Sequence, residues 1–290
     1  MIIDLHVHST FSDGSMSPAE LVHYAHRLGL SALAITDHDT IEGVDEAMHM
    51  GGTLGVEVVS GLELSIKHGD TAVHLLGYLF EPSDKALLLA LQRLQAARLE
   101  RNEIILDNLN RLGVAIEMQE LEKISGHGQS GRPHIAQILI QKHVVKNMDE
   151  AFDRYLARGG LAYAPRTVLQ AEDAIKMIKN AGGLAVLAHP QQLEKSGKDV
   201  GAVISKLQAA GLDGIEVYYP THSRQFKKKL LTIAKKLDLL ATGGSDYHGT
   251  IRPGTTLAGG KNCSVPWNLL EEMKGRLERR HSLVRTEPLA

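Results

Sequence analysis

Ile2-Ile3-Asp4-Leu5-His6-Val7-His8 opens the chain as a buried strand that finishes on two imidazoles. Side chains of an extended segment alternate with period two, so His6 and His8 share one face. The pair alone says little. Fifteen histidines among 290 residues supply about 0.8 such H-x-H pairs in a shuffled chain, the false-positive risk of any short motif. The remainder of the chain decides the reading.

Helical and strand patterns alternate from there. Ser17-Pro18-Ala19-Glu20 carries an N-cap, a proline at the first helical position and a capping-box glutamate, which predicts a helix to about Gly29. Ser31–Thr36 reads as a second strand, Thr40–Met50 as a helix closed by Gly51-Gly52, Val56–Val59 as a third strand and Ala72–Leu79 as a fourth. Ser65–Thr71, with Gly69-Asp70, predicts a hairpin connection between the last two rather than a helical crossover. Asp84–Leu112 is a long amphipathic run, one helix or two in sequence, followed by short helical patterns at Met118–Ile124, Pro133–Gln141 and Met148–Ala157. Alternation then resumes with strands Leu184–Ala188, Gly214–Tyr218 and Leu239–Thr242 between helices Ala171–Ala181, Val200–Ala210 and Ser223–Leu237, and a helix from about Pro266 to Arg279 closes the chain. Seven strands separated mostly by helices fit an α/β barrel better than an open doubly wound sheet. The first turn, Ser9–Asp13, has no glycine-rich phosphate loop of the kind such open sheets carry. Residues 1–99 and 165–290 are read as the barrel, and residues 100–164 as an all-helical insert between the fourth and fifth strands, covering the active site.

Composition narrows the function classes. Hydrophobic residues at 43% and charged residues at 23% supply a core and exclude global disorder. Lys+Arg 32 against Asp+Glu 34 leaves a net charge of -2, with no electropositive excess to drive binding of long nucleic acid or an acidic membrane. The single Cys263 excludes an internal disulfide and a thiolate zinc site. Met1 leads straight into the first strand, and no apolar run approaches the ~20 residues that span a bilayer. The expectation is a cytoplasmic protein with no membrane and no obligate protein partner.

Polar residues recur where the apolar β runs end. Asp13 lies in the loop after strand one, Asp37-His38-Asp39 after strand two and Glu63 beyond strand three. His74 falls within strand four, His189-Pro190 follows strand five, and Asp246-Tyr247-His248 follows strand seven. In a barrel those ends converge on one rim, where active sites are built. His6, His8, Asp13, His38, Glu63, His74, His189, Asp246 and His248 are therefore read as ligands of one shared metal site. The set holds imidazole and carboxylate without thiolate, which suits manganese, zinc or iron. Without cations its carboxylates would repel one another. It is too large for one tetrahedral ion, so two or three divalent ions, manganese first, with Glu63 bridging, are expected. Such clusters suit phosphoryl transfer, because the ions stabilise attacking and leaving oxygens and lower the pKa of a bound water from about 15.7 towards ~7.

The ordered series His6-Val7-His8-Ser9, Thr36-Asp37-His38-Asp39, Gly61-Leu62-Glu63, His74, His189-Pro190 and Ser245-Asp246-Tyr247-His248 resembles the motifs of the PHP (polymerase and histidinol phosphatase) metal-dependent phosphoesterases. The resemblance implies a distorted (β/α)7 TIM-like barrel with a trinuclear site. It assigns His6, His8, Glu63 and Asp246 to one ion, Glu63, His74 and His189 to a second, and Asp13, His38 and His248 to a third. Asp13 stands where some members have histidine. Asp13, His38, Glu63, His189 and Asp246 are the catalytic candidates, with Asp4, Asp37 and Asp39 behind them orienting imidazoles. Within the family the chain is similar to a branch with a helical insert. That branch removes the 3'-phosphate of nucleoside 3',5'-bisphosphates or degrades short 5'-phosphorylated RNA from its 5' end. Gly131-Arg132-Pro133-His134 resembles its substrate-facing segment, so Arg132 and His134 are expected to clamp the remaining phosphate. Tyr163 and Arg166 are lesser candidates.

The other histidines read as solvated (His23, His26, His49, His68, His143, His281) or stay unassigned (His127, His222). The Lys227-Lys228-Lys229 run reads as a wet helix face, Leu87-Leu88-Leu89 as core, and Trp267 as the anchor of the last helix. A histidinol-phosphatase-like activity is the runner-up inside the family. An amidohydrolase-type barrel also opens with H-x-H but needs a bridging lysine on strand four, where this chain has His74.

Overall fold

The computed structural model describes residues 1–126, 128–259 and 263–286, so His127 lies outside the described residues. The strands are β1 (Ile2–Val7), β2 (Leu30–Ile35), β3 (Glu57–His68), β4 (Thr71–Tyr78), β5 (Leu169–Gln170), β6 (Leu184–Leu187), β7 (Gly214–Tyr218), β8 (Leu240–Gly243) and β9 (Val265–Pro266). They form one mixed sheet in the order β8-β7-β6-β4-β3-β2-β1-β9, with β5 pairing β3. Beyond β8 the ends of the sheet meet. Asp246 N–H donates to His6 O at 2.8 Å and His8 N–H to Tyr247 O at 2.9 Å, which curls the sheet into a nearly closed barrel.

β1 shows how the period-two pattern builds the interior. Ile3, Leu5 and Val7 enter apolar clusters, while Asp4, His6 and His8 occupy the other face, and all six are buried. Ser17 and Glu20 make the expected capping box, with Glu20 N–H donating to Ser17 Oγ at 3.2 Å and Ser17 N–H to Glu20 Oε2 at 2.8 Å. The hairpin connection is also present, as β3 and β4 pair antiparallel around Gly69-Asp70 with Gly69 at φ +58.

Three expectations need correction. The third strand does not stop at Val59 but runs to His68, because β4 pairs it along its length from Gly61 to His68. Gly51-Gly52 do not close the second helix, which spans Val44–Leu54 and ends on Gly55 at φ +71. A side chain at Gly51 would collide with Val56 and Val58, so close packing rather than termination explains that glycine. The leucine triplet is not all core. Successive helical residues turn 100° apart, and Leu87 is 1% exposed whereas Leu88 and Leu89 are 38% and 51%.

One continuous helix, Lys85–Arg111, carries the chain between two hydrophobic cores. Its first half places Leu87, Leu91 and Leu94 against the barrel, and its second half gives Ile105, Leu106 and Leu109 to a separate cluster. Helices Met118–Ser125 and Arg132–Gln141 complete that cluster, with Met148–Ala151 continuing into a π-helical turn Phe152–Leu156. The insert thus encloses apolar surface of its own. Its loop also grips the barrel, as Gln129 N–H donates to Phe11 O at 3.0 Å and Gln129 Nε2 to Asp39 O at 3.0 Å.

Candidate metal centre

The strand ends bring all nine predicted ligand residues to one rim. β4 runs antiparallel to both neighbours, so it contributes from its first half, and His74 pairs opposite Ser65 with its carbonyl accepting from Ala188 N–H at 3.1 Å. Glu63 sits at the middle of the constellation and is 1% exposed. Its Oε1 lies 2.9 Å from His74 Nδ1 and 2.9 Å from His189 Nε2. Its Oε2 lies 3.4 Å from His6 Nε2, 3.2 Å from His8 Nε2 and 3.1 Å from His38 Nδ1. Asp246 Oδ1 stands 3.4 Å from His6 Nε2 and 3.3 Å from His8 Nε2, and Asp13 Oδ1 stands 3.3 Å from His248 Nε2.

Among the described residues, three groups have donor atoms mutually within 4.8 Å: His6, His8, Glu63 and Asp246; His38, Glu63 and His74; and His8, Asp13, His38 and His248. The first coincides with the set implied by resemblance. The other two differ from the implied sets: His38 stands beside Glu63 and His74 where His189 was expected, His8 joins Asp13, His38 and His248, and His189 Nε2 meets the cluster at Glu63 Oε1.

The donor set fits cations. His6 Nε2, His8 Nε2 and His38 Nδ1 are buried with no hydrogen-bond partner, a costly arrangement for a polar atom unless something else satisfies it. Charge points the same way. Burial pushes the carboxyl of Glu63 upward, but His38, His74 and His6 hold it well below the usual range, and Asp13 and Asp246 are likewise held down by neighbouring imidazoles. Burial resists charge on His8, yet the nearby carboxylates of Asp246, Glu63 and Asp13 raise it to about 10. His38 goes the other way, pushed down to about 3 chiefly by burial. Protons therefore occupy part of the positive charge that the carboxylates demand, and metal ions would displace them.

The supporting carboxylates differ from the expected ones. Asp37 and Asp39 flank His38, but Asp39 sits in a turn at φ +57 and the oxygens of both are held by groups other than the His38 ring. Asp37 instead accepts from Ser9 N–H at 2.7 Å and from the Ser9 and Ser12 hydroxyls at 2.5 Å. Asp39 accepts from Ser65 N–H at 2.9 Å, from Arg166 at 2.9 Å and from Arg98. Asp4 shares the face of His6, but its oxygens are taken by Ser245 N–H at 2.9 Å, Ser245 Oγ at 2.6 Å and Ala258 N–H at 2.7 Å. The carboxylate that does hold an imidazole is Glu216, which accepts from His6 Nδ1–H at 2.9 Å. Asp246 is steadied by Tyr219, whose hydroxyl donates to Oδ2 at 2.7 Å, and by Arg252 on the same oxygen. Of these missed residues, only Glu216 left a signal: a carboxylate in the middle of the apolar strand Gly-Ile-Glu-Val-Tyr. The unassigned His222 is fully buried, donates Nδ1–H to Val217 O at 2.9 Å and packs against Tyr219 and Phe226, outside the ligand groups.

A model of the PHP domain matches residues 4–180. The chain belongs to the PHP family. A curated relative from Haemophilus influenzae named 5'-3' exoribonuclease is 36% identical over 84% of this chain and 89% of its own. One from Chromobacterium violaceum named 3',5'-nucleoside bisphosphate phosphatase is 32% identical over 93% of this chain and 96% of its own. Among solved structures, a Bifidobacterium adolescentis protein assigned as a metal-dependent phosphoesterase superposes with a TM-score of 0.86 at 32% identity, covering 94% of this chain and 96% of that one.

Beside the PHP centre lies a cavity of about 530 Å³ that Asp13, His38 and His74 share with Arg98, Arg101, Arg132, Arg158 and Arg166. Arg132 is anchored there by donating to Leu156 O at 3.2 Å and by resting 5.6 Å from the Phe152 ring centre. Arg101 is largely buried, and burial together with Arg98, Arg132 and Arg166 pushes its guanidinium down to about 8. Asp39 neutralises Arg98 and Arg166 only in part. Tyr163 lines the same space. His134 is placed elsewhere: it is 3% exposed, accepts from Gly131 N–H at 3.1 Å through Nδ1, and faces a neighbouring cavity with Phe11 and Gln137.

Proposed function

We propose that this PHP-family phosphoesterase removes the 3'-phosphate of nucleoside 3',5'-bisphosphates, degrades short 5'-phosphorylated RNA from its 5' end, or does both. The observation that carries this reading is the arginine cavity opening onto the ligand cluster. A substrate with two phosphates places the scissile one at the cluster and the other among the guanidiniums, which bind phosphate bidentately. The names of the Haemophilus and Chromobacterium relatives support both substrate classes.

His6, His8, Asp13, His38, Glu63, His74, His189, Asp246 and His248 would hold two or three divalent ions, manganese first, with zinc or iron as alternatives. When bound, such ions polarise phosphoryl oxygens and acidify water. The protein supplies the rest. Glu63 and Asp246 keep the imidazoles converged, while Asp39 orients Arg98 and Arg166 from behind. Arg132 offers its remaining N–H groups to the distal phosphate. His134, bonded to the start of helix Arg132–Gln141, fixes the placement of Arg132. Residues 100–164 act as the roof that supplies this second phosphate site. The single buried Cys263 suits a reducing cytoplasm, and among the described residues no helix is long and apolar enough to cross a membrane.

The test is phosphate release with Mn²⁺ from adenosine 3',5'-bisphosphate, AMP, histidinol phosphate and a short 5'-phosphorylated RNA. Preference for the bisphosphate or the RNA supports the proposal. Preference for histidinol phosphate, or release of ammonia or a carboxylate from other substrates in place of phosphate, overturns it.

A further inference from the structure

Glu216 is fully buried in β7, and nothing in the proposed hydrolysis uses it. Both of its carboxylate oxygens are engaged, one by His6 of the first ligand group and one by His189, which meets the cluster at Glu63. Oε1 accepts from His6 Nδ1–H at 2.9 Å, and Oε2 accepts from the backbone N–H of His189 at 2.7 Å.

Each bond has a chemical consequence. A carboxylate only accepts, so the first bond keeps a proton on His6 Nδ1 and leaves Nε2 as the nitrogen free to ligate. That Nε2 is the buried, unpartnered atom aimed at Glu63 and Asp246, 3.4 Å from each. The second bond holds His189 at φ +26, a backbone conformation that a non-glycine residue keeps only when its surroundings impose it. In that conformation His189 Nε2 reaches Glu63 Oε1 at 2.9 Å.

We infer that Glu216 is a positioning residue that sets His6 for one ion and His189 for another. The inference rests on the metal-centre reading of the ligand cluster. Its specificity lies in the demand for two acceptors. Glutamine has the same shape but one acceptor and one donor, so Glu216→Gln must face an N–H group with its own amide N–H. Either the His189 backbone loses its partner or His6 moves its proton to Nε2, where it blocks ligation.

Mn²⁺ titration of wild-type protein and Glu216→Gln, read by electron paramagnetic resonance and by bound-metal analysis, tests this. Of the two ions beside Glu63, the one whose histidine loses its partner is expected to bind about 10–100-fold more weakly in the variant, the usual cost of losing a partner behind a ligand. The ion held by Asp13, His38 and His248 is expected to stay within about twofold. Equal affinities in both proteins, or equal weakening of every ion, would overturn the inference while leaving the metal centre standing. Wild-type protein that binds no Mn²⁺ would overturn both. A second measurement needs no variant. In Zn²⁺-loaded wild-type protein, ¹⁵N NMR should show His6 ligated through Nε2 with the Nδ1 proton retained, and ligation through Nδ1 would contradict the proposal.

Discussion

The ligand cluster and the arginine cavity adjoin, yet they are built in opposite ways. The cluster takes side chains from strand ends scattered from His6 to His248, and its geometry follows from closure of the barrel. The cavity takes Arg98 and Arg101 from one long helix, Arg132 from the start of another, and Arg166 from the segment where the insert returns. One region concentrates negative charge that demands cations. The other concentrates positive charge that demands an anion, with Asp39 as the buried counterion between them. A phosphate ester with a second phosphate satisfies both at once, whereas a simple monoester satisfies only the first.

Three perturbations separate the two regions. His6→Ala or Asp246→Ala should reduce turnover of every phosphate ester to background and lower the bound metal. Full activity in metal-depleted variant protein would break the division. Asp39→Ala removes the shared counterion and strands Arg98 and Arg166 in a site where Asp39 itself is wholly buried. Losing one partner of a buried pair costs about 3–5 kcal/mol, measurable by urea denaturation, and a loss within experimental error would show that the junction carries no stability. Arg132→Ala should weaken bisphosphate binding by about 1.5–3 kcal/mol, the range for charged hydrogen bonds, and leave an aryl phosphate nearly unchanged. Equal effects on both substrates would remove Arg132 from the second-phosphate role.

A smaller effect concerns pH. His8 is raised to about 10, so below that pH an arriving ion must displace its proton. Apparent metal affinity should therefore climb about tenfold per pH unit for each proton released, between pH 6 and 9. Calorimetry in buffers of different ionisation enthalpy reads the proton count directly, and a pH-independent affinity would show that His8 carries no proton before loading.

How legible each region was follows from its construction. The convergence of the nine candidate residues could be read because strand ends of a barrel converge, so linear order predicts a shared rim. Glu216 stayed hidden because its partner His6 is remote in sequence and only barrel closure joins them. Asp37 and Asp39 do not orient imidazoles as expected because other groups take their oxygens: Ser9 and Ser12 for Asp37, and Ser65, Arg98 and Arg166 for Asp39. The extension of β3 past Val59 runs through Gly61. Its lack of a side chain admits Ile35 O and Thr36, where a Cβ would collide. Arg98 and Arg101 blend into a helix rich in polar residues, and nothing in their spacing distinguishes a cavity lining from a wet face.

The most direct measurement is anomalous diffraction at the manganese edge from crystals soaked in Mn²⁺. The account predicts at least two peaks flanking Glu63, one of them also ligated by His6 Nε2 and Asp246. Manganese bound only at surface carboxylates, with no peak at Glu63, would contradict it.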